Sequence, residues 1–212
     1  MLLRRLLLVE GVDDQHVIKH VCLSRDVPLP DEIIPHDGIE RLIEAIPVRL
    51  KVIETEALGV VLDADLDLAG RWAALRHRLT QAGYDRVPQQ PAADGTILVA
   101  PANSLLPRFG VWIMPDNRSK GILEDFLRFL VPSGSRLFEH AKSSVASIPE
   151  GERRFSQAAE PKAVIHTWLA WQKEPGKPLG TAITARFLDP NVAEVDVFVG
   201  WLQRLFSAAH PM

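Results

Sequence analysis

Two apolar runs in this chain end abruptly in carboxylates. Leu6-Leu7-Leu8-Val9 runs into Glu10-Gly11-Val12-Asp13-Asp14, and Leu58-Gly59-Val60-Val61-Leu62 runs into Asp63-Ala64-Asp65-Leu66-Asp67. Carboxylates gathered in one place repel one another unless a hard divalent cation, which takes oxygen ligands, holds them together. The chemistry they point to is that of Mg2+ or Mn2+. For the acids to meet, both runs have to be strands ending on the same edge of a sheet. Runs of this length, rich in Leu and Val and bounded by Gly and Asp, read as strands buried on both faces of a parallel sheet. Ligands of such sheets bind outside the carboxyl ends of the strands.

The elements around these runs alternate as an α/β fold requires. Asp13 or Asp14 can cap a helix in which Val17, Ile18 and Val21 recur at helical spacing, and Pro28 and Pro30 end that unit. A weak strand around residues 32–36 precedes a helix over 38–48, with Ile39, Leu42, Ile43 and Ile46 on one face. The Asp63 run leads into a helix over 69–81 that Gly83 closes as a left-handed cap. Prolines at 88, 91, 101 and 107 frame a loop holding a short edge strand around Thr96-Ile97-Leu98. Phe109-Gly110-Val111-Trp112-Ile113-Met114 forms another sheet strand running into Asp116 and Asn117, and the helix after it, over 122–130, carries Glu124 and Asp125. From Pro132 the pattern changes to helices over 135–147, 162–172 and 193–206, separated by a loop at 174–178. The expected organisation is a core over 1–131 with a helical C-terminal elaboration over 132–212 packed on it.

Composition narrows the classes. The chain has 212 residues, nearly half apolar, with a formal charge of -3, which argues against holding nucleic acid by a broad basic surface. Cys22 is the single cysteine, so no internal disulfide forms, which suits a reducing cytoplasm. The first ten residues carry Arg4 and Arg5 inside an apolar segment and read as a strand instead of a leader. No later run is long enough to span a membrane.

A strand ending in Glu-Gly, followed by a strand ending in Asp-x-Asp, resembles the Toprim fold of topoisomerases, primases and OLD-type nucleases; here the matching residues are Glu10-Gly11 and Asp63-Ala64-Asp65. The segments Val111-Trp112-Ile113-Met114-Pro115-Asp116-Asn117, Gly121-Ile122-Leu123-Glu124-Asp125-Phe126 and Pro161-Lys162-Ala163 are similar to a narrower Toprim-like group, DUF3226. The resemblance spans about residues 5–172. It implies a Rossmann-like Toprim fold: a central, mostly parallel sheet flanked by helices, with a helical C-terminal elaboration.

The resemblance also implies roles. Glu10 becomes a metal ligand or general acid/base, and Asp63 and Asp65 become Mg2+ ligands. OLD-like nucleases have a further acid four residues after the Glu, which falls on Asp14. Glu124 is the candidate ligand of a second cation, set about 3.5–4 Å from the first in two-metal phosphodiester hydrolases. Lys162 is the candidate for neutralising charge on the reacting phosphate. Asp116 and Asn117 are candidates for orienting water or the phosphate, and Asp67 stands at the margin. These expectations describe a Mg2+- or Mn2+-dependent nuclease acting on DNA or RNA.

Departures restrict the kind of nuclease. The only tyrosine, Tyr84, sits beside a helix-ending glycine, which makes a topoisomerase improbable, and one cysteine cannot build the zinc module of a bacterial primase. No Walker-type loop is present, so if an ABC- or AAA-type ATPase of the kind that controls OLD-like phage-defence systems is needed, it is expected to be a separate chain. A homo-oligomer stays open.

Each acid also has an ordinary structural role available. Asp commonly solvates loops after strands, and Asp14, Glu124 and Asp125 suit the first turn of a helix. Lys162 reads more readily as a solvated lysine than as a catalytic one, the group Arg71, Arg76, His77 and Arg78 more readily as a solvated helix face than as a contact to a phosphate backbone, and Trp168, Trp171 and Trp201 as helix-packing residues. Two other function classes therefore remain. One is a catalytically silent binding or assembly protein on a Toprim scaffold. The other is a receiver-like signalling module, disfavoured because Met114-Pro115-Asp116 lacks the hydroxyl such a module needs.

Overall fold

A five-stranded sheet organises the molecule, in the order β2-β1-β3-β5-β4. The structure, a computed structural model, describes residues 3–207. Met1, Leu2 and residues 208–212, the outer ends of the two expected segments, lie outside the described residues. The strands are β1 (Arg4–Val9), β2 (Glu32–Pro35), β3 (Thr55–Asp63), β4 (Thr96–Leu98) and β5 (Arg108–Met114). All pairings are parallel except β4 with β5. The short antiparallel β4 lies at one edge among the prolines that mark its loop, where a missing ladder donor is tolerated.

The helices are α1 (Val12–Ser24), α2 (Ile39–Arg49), α3 (Leu68–Ala82), α4 (Leu123–Phe129), α5 (Arg136–Ala146), α6 (Glu160–Ala170), α7 (Leu179–Thr184) and α8 (Ala193–Phe206). Strand alternation divides the core. Leu6, Leu8, Leu58, Val60 and Leu62 pack under α2 and α3, whereas Leu7, Val9, Val61, Trp112 and Met114 pack with the remaining helices. Burial on both faces explains why β1 and β3 read as unbroken apolar runs. The C-terminal helices do not form a core of their own: Phe138, Trp168, Leu179, Phe198 and Leu205 share one cluster with the strands.

Several local details depart from the pattern-based reading. Gly11, not Asp13 or Asp14, caps α1, and Asp14 instead reaches back to accept from the Gly11 N–H at 3.0 Å. Helix α7 fills a stretch without a helical pattern and packs against α1. Trp168 and Trp201 are core residues, whereas Trp171 is 40% exposed.

Helix α8 approaches the sheet over a pair of register partners, Gly59 on β3 and Gly110 on β5. A Cβ on Gly110 would come within 2.5 Å of Leu205 Cδ2, and one on Gly59 within 2.6 Å of Leu7 Cδ1. Gly110→Ala is expected to destabilise the fold by about 1–3 kcal/mol through overpacking, read as a lower denaturant midpoint. An unchanged midpoint would mean that α8 does not seat there.

Candidate metal centre

The geometry that matters begins where β1 and β3 end side by side. Val9 pairs with Val61, so Glu10, the first residue beyond β1, reaches the last residue of β3. Glu10 Oε1 accepts the Asp63 N–H at 2.7 Å. One chain departs to α1 and the other to α3, and such a switch in direction opens the crevice in which open α/β sheets take ligands. Asp14, one turn into α1, is only 6% exposed, and Glu124, in the first turn of α4, is 3% exposed. Carboxylates from four separate elements are thereby brought under one edge of the sheet.

Their electrostatics show the convergence. Asp63 is pushed up to about 9, first by burial and then by the charges of Glu10, Asp14, Glu124 and Asp65. Asp14 is raised to about 7 by burial, then by Glu10 and, more weakly, Glu124, against the Gly11 amide that favours its charged form. Glu10 is also raised by burial, with the Asp63 amide and the Arg71 guanidinium opposing. Among the described residues, Asp14 Oδ1 and Asp63 Oδ1 are buried without a hydrogen-bond partner. A buried oxygen left in that state carries a desolvation penalty of about 1–3 kcal/mol, so fold stability does not explain the arrangement.

Asp65 is placed differently. Its backbone is left-handed, with φ at 52°, and its N–H and C=O bond the Gly121 backbone at 2.9 and 2.8 Å. Its side chain is exposed at the rim and is held in an ion pair by Arg71 of α3. Asp67 caps α3, accepting from the Gly70 N–H at 2.9 Å. Lys162, half-exposed at the start of α6, places Nζ 3.4 Å from Glu124 Oε1. The structure thus gathers Glu10, Asp14, Asp63 and Glu124, sets Lys162 against Glu124, and keeps Asp65 beside them in the grip of Arg71.

Asp116 and Asn117 serve the turn after β5. Asp116 Oδ1 accepts from the N–H groups of Arg118 and Ser119, at 3.0 and 2.7 Å. Asn117, buried with φ at 61°, accepts the Ile113 N–H at 2.7 Å, and its Nδ2 is buried without a partner among the described residues. Arg71 is the site residue that helix-face reasoning missed. The signal available was its spacing of six from Asp65, but only a left-handed Asp65 brings the two together.

Hard oxygen donors, two of them buried and unpartnered, fit a divalent cation of the Mg2+ or Mn2+ type. The side chains are not closed around a common point. Among the described residues no group of three or more His, Cys, Asp or Glu side chains stands ready to hold an ion. Among the described residues, no helix is long and apolar enough to cross a membrane.

No curated protein and no solved structure matches the chain. Residues 4–207, nearly the full length described, match the family model "Protein of unknown function (DUF3226)". The chain therefore belongs to the DUF3226 family.

Proposed function

We propose that this protein is a Mg2+- or Mn2+-dependent nuclease of the Toprim type, related to the Toprim region of OLD nucleases. The observation that carries the reading is the convergence of Glu10, Asp14, Asp63 and Glu124 at the carboxyl edge, with two buried carboxylate oxygens unpartnered. Glu10, Asp14, Asp63 and Glu124 would hold the cations, and Asp65 would join them on leaving Arg71. Bound there, a divalent cation supplies Lewis acidity toward phosphate and a more acidic water.

The chain's own residues supply the rest. Glu10 spends Oε1 on the Asp63 amide, while no protein hydrogen bond among the described residues engages Oε2, which would serve either as a cation ligand or as the acceptor of the proton lost by the attacking water. Lys162 Nζ, on the solvent side of Glu124, offsets charge accumulating on the phosphate. The Arg71 fork can exchange Asp65 for a phosphate oxygen pair. An ATPase of the OLD kind is a candidate partner.

One observation favours a second reading, a silent Toprim scaffold: the acids are not closed to ligating distance. Calorimetry separates the two. Wild-type protein is expected to bind Mn2+ and to nick DNA or RNA only when the cation is present. Arg71→Gln, which frees Asp65, is expected to bind Mn2+ several-fold more tightly. A protein that takes up no Mn2+ and cleaves nothing is a scaffold.

A further inference from the structure

Two of the gathered acids are already held by bases, and in each pair one partner is buried. Arg71 Nη2 pairs with Asp65 Oδ2, and the Arg71 side chain is 18% exposed against 49% for Asp65. Lys162 Nζ lies 3.4 Å from Glu124 Oε1, and there the acid is the buried partner while the lysine is half-exposed. Glu10 and Asp14 are bonded to backbone amides instead. We propose that the two ion pairs form a latch that makes the uptake of a divalent cation and of a phosphodiester mutually dependent: Asp65 and Glu124 pass to the cation only as Arg71 and Lys162 pass to the diester. The proposal rests on the nuclease reading above and names how that site is controlled.

Burial is the first argument. If Asp65 alone is drawn to the acid edge, the Arg71 guanidinium is left largely buried, and among the described residues no other carboxylate pairs with it. If Lys162 alone is drawn outward, the charge of Glu124 is left buried and unopposed. Removing one partner of a buried pair strands a charge away from water, which costs far more than an exchange of partners. A cation arriving alone strands Arg71, and a diester arriving alone strands Glu124. When both arrive, every charge keeps a partner.

Position is the second argument. Arg71 favours the charged form of Glu10 as well, so its guanidinium stands at the acid edge. Lys162, in the first turn of α6, stands beside Glu124 in the first turn of α4. A diester held by either base therefore lies next to a carboxylate that the exchange has released. One phosphodiester group, with a single negative charge and two free oxygens, suits the Arg71 fork, and no broad positive surface is needed. The structure shows the latched state: both pairs are formed, and among the described residues no group of three or more His, Cys, Asp or Glu side chains stands ready to hold an ion.

The test titrates Mn2+ into the full chain by calorimetry, once with the diester probe dimethyl phosphate and once with sodium chloride at equal ionic strength. Wild-type Mn2+ affinity is expected to rise at least about fivefold with the diester, and by reciprocity Mn2+ raises diester affinity by the same factor. Arg71→Gln, which is already unlatched, is expected to lose most of that gain. Asp65→Asn, in which no acid holds Arg71, is expected to bind dimethyl phosphate in EDTA several-fold more tightly than wild type. Glu139→Gln, which removes the same charge away from both pairs, is expected to match wild type there. Mn2+ affinity that the diester leaves unchanged or lowers, a gain undiminished in Arg71→Gln, or an Asp65→Asn protein no better than Glu139→Gln in EDTA overturns the proposal. Mn2+-dependent cleavage by a wild type without coupling removes the latch and leaves the nuclease reading standing. Coupling in a protein that cleaves nothing upholds the latch and removes the nuclease reading.

Discussion

Stripped of divalent cations, the protein is expected to lose stability as pH rises from about 5 to about 9, and Mg2+ is expected to restore it at the alkaline end. The direction follows from the raised carboxyls. Asp14 stands at about 7 and Asp63 at about 9, against 3.8 for an ordinary Asp. Between those values the folded chain holds protons that the unfolded chain has released. The resulting stabilisation is fully present below about pH 4 and is lost as pH climbs through the folded values. For Asp14 alone the difference corresponds to about 4 kcal/mol, a large share of the roughly 5–15 kcal/mol that holds a domain together.

A divalent cation reverses the trend because it binds the deprotonated carboxylates of the folded chain and has no such site in the unfolded one. Thermal melts in EDTA across this range, repeated with Mg2+, check both halves. Asp63→Asn and Asp14→Asn are expected to flatten the EDTA profile and to raise the melting temperature at pH 8, since each removes a carboxyl that folding forces either to take up a proton or to bury its charge. A wild-type profile in EDTA that is flat or rises with pH would show that the carboxyls do not share a buried site.

The part of this site legible in the sequence is the part written in strand ends. Glu10 and Asp63 follow apolar runs whose length and bounds identify buried parallel strands, and parallel strands place their carboxyl ends on one edge. Glu124 and Lys162 were legible only through resemblance, because acids and lysines in first turns are common for local reasons. What stayed hidden depends on tertiary events. Asp65 meets Arg71 only because a left-handed residue turns its side chain outward, and that turn is fixed by backbone bonds to Gly121, far along the chain. No spacing rule encodes that pairing.

Helix α7 was hidden for a related reason. Leu-Gly-Thr-Ala-Ile-Thr combines glycine with β-branched residues and carries little helical propensity. Contact makes it a helix: at Gly180 an added Cβ would meet the His16 carbonyl oxygen at 2.7 Å, so α1 and α7 approach almost backbone to backbone. The capping of α1 shows local competition instead. Asp14 was a plausible N-cap by type, but as the third helical residue it bonds the Gly11 amide with one oxygen and leaves the other buried in the acid cluster. One side chain thus combines the structural role and the candidate ligand role that looked like alternatives.

That double use makes amide substitutions the decisive ones, and Glu10→Gln is expected to separate fold from chemistry. Glu10→Ala removes the acceptor of the Asp63 N–H, which leaves a part-buried donor unpaired at a cost of about 1–3 kcal/mol. Lost activity in that variant could be lost structure. Gln keeps a carbonyl oxygen for the same 2.7 Å bond and removes only the negative charge. With less repulsion on Asp63 and Asp14, Glu10→Gln is expected to melt at or above the wild-type temperature at pH 8. Its Mn2+ affinity is expected to fall by at least about tenfold, because hard cations are held by ligand charge. Metal-dependent cleavage is expected to fall by about 10²–10³-fold, the scale on which removing one preorganised group reduces turnover. Asp63→Asn is expected to match it, since both carboxylates serve one centre and their effects are not additive. Cleavage that survives in both folded amide variants would end the nuclease assignment, for among the described residues Glu10 and Asp63 are the acids that join the ends of β1 and β3.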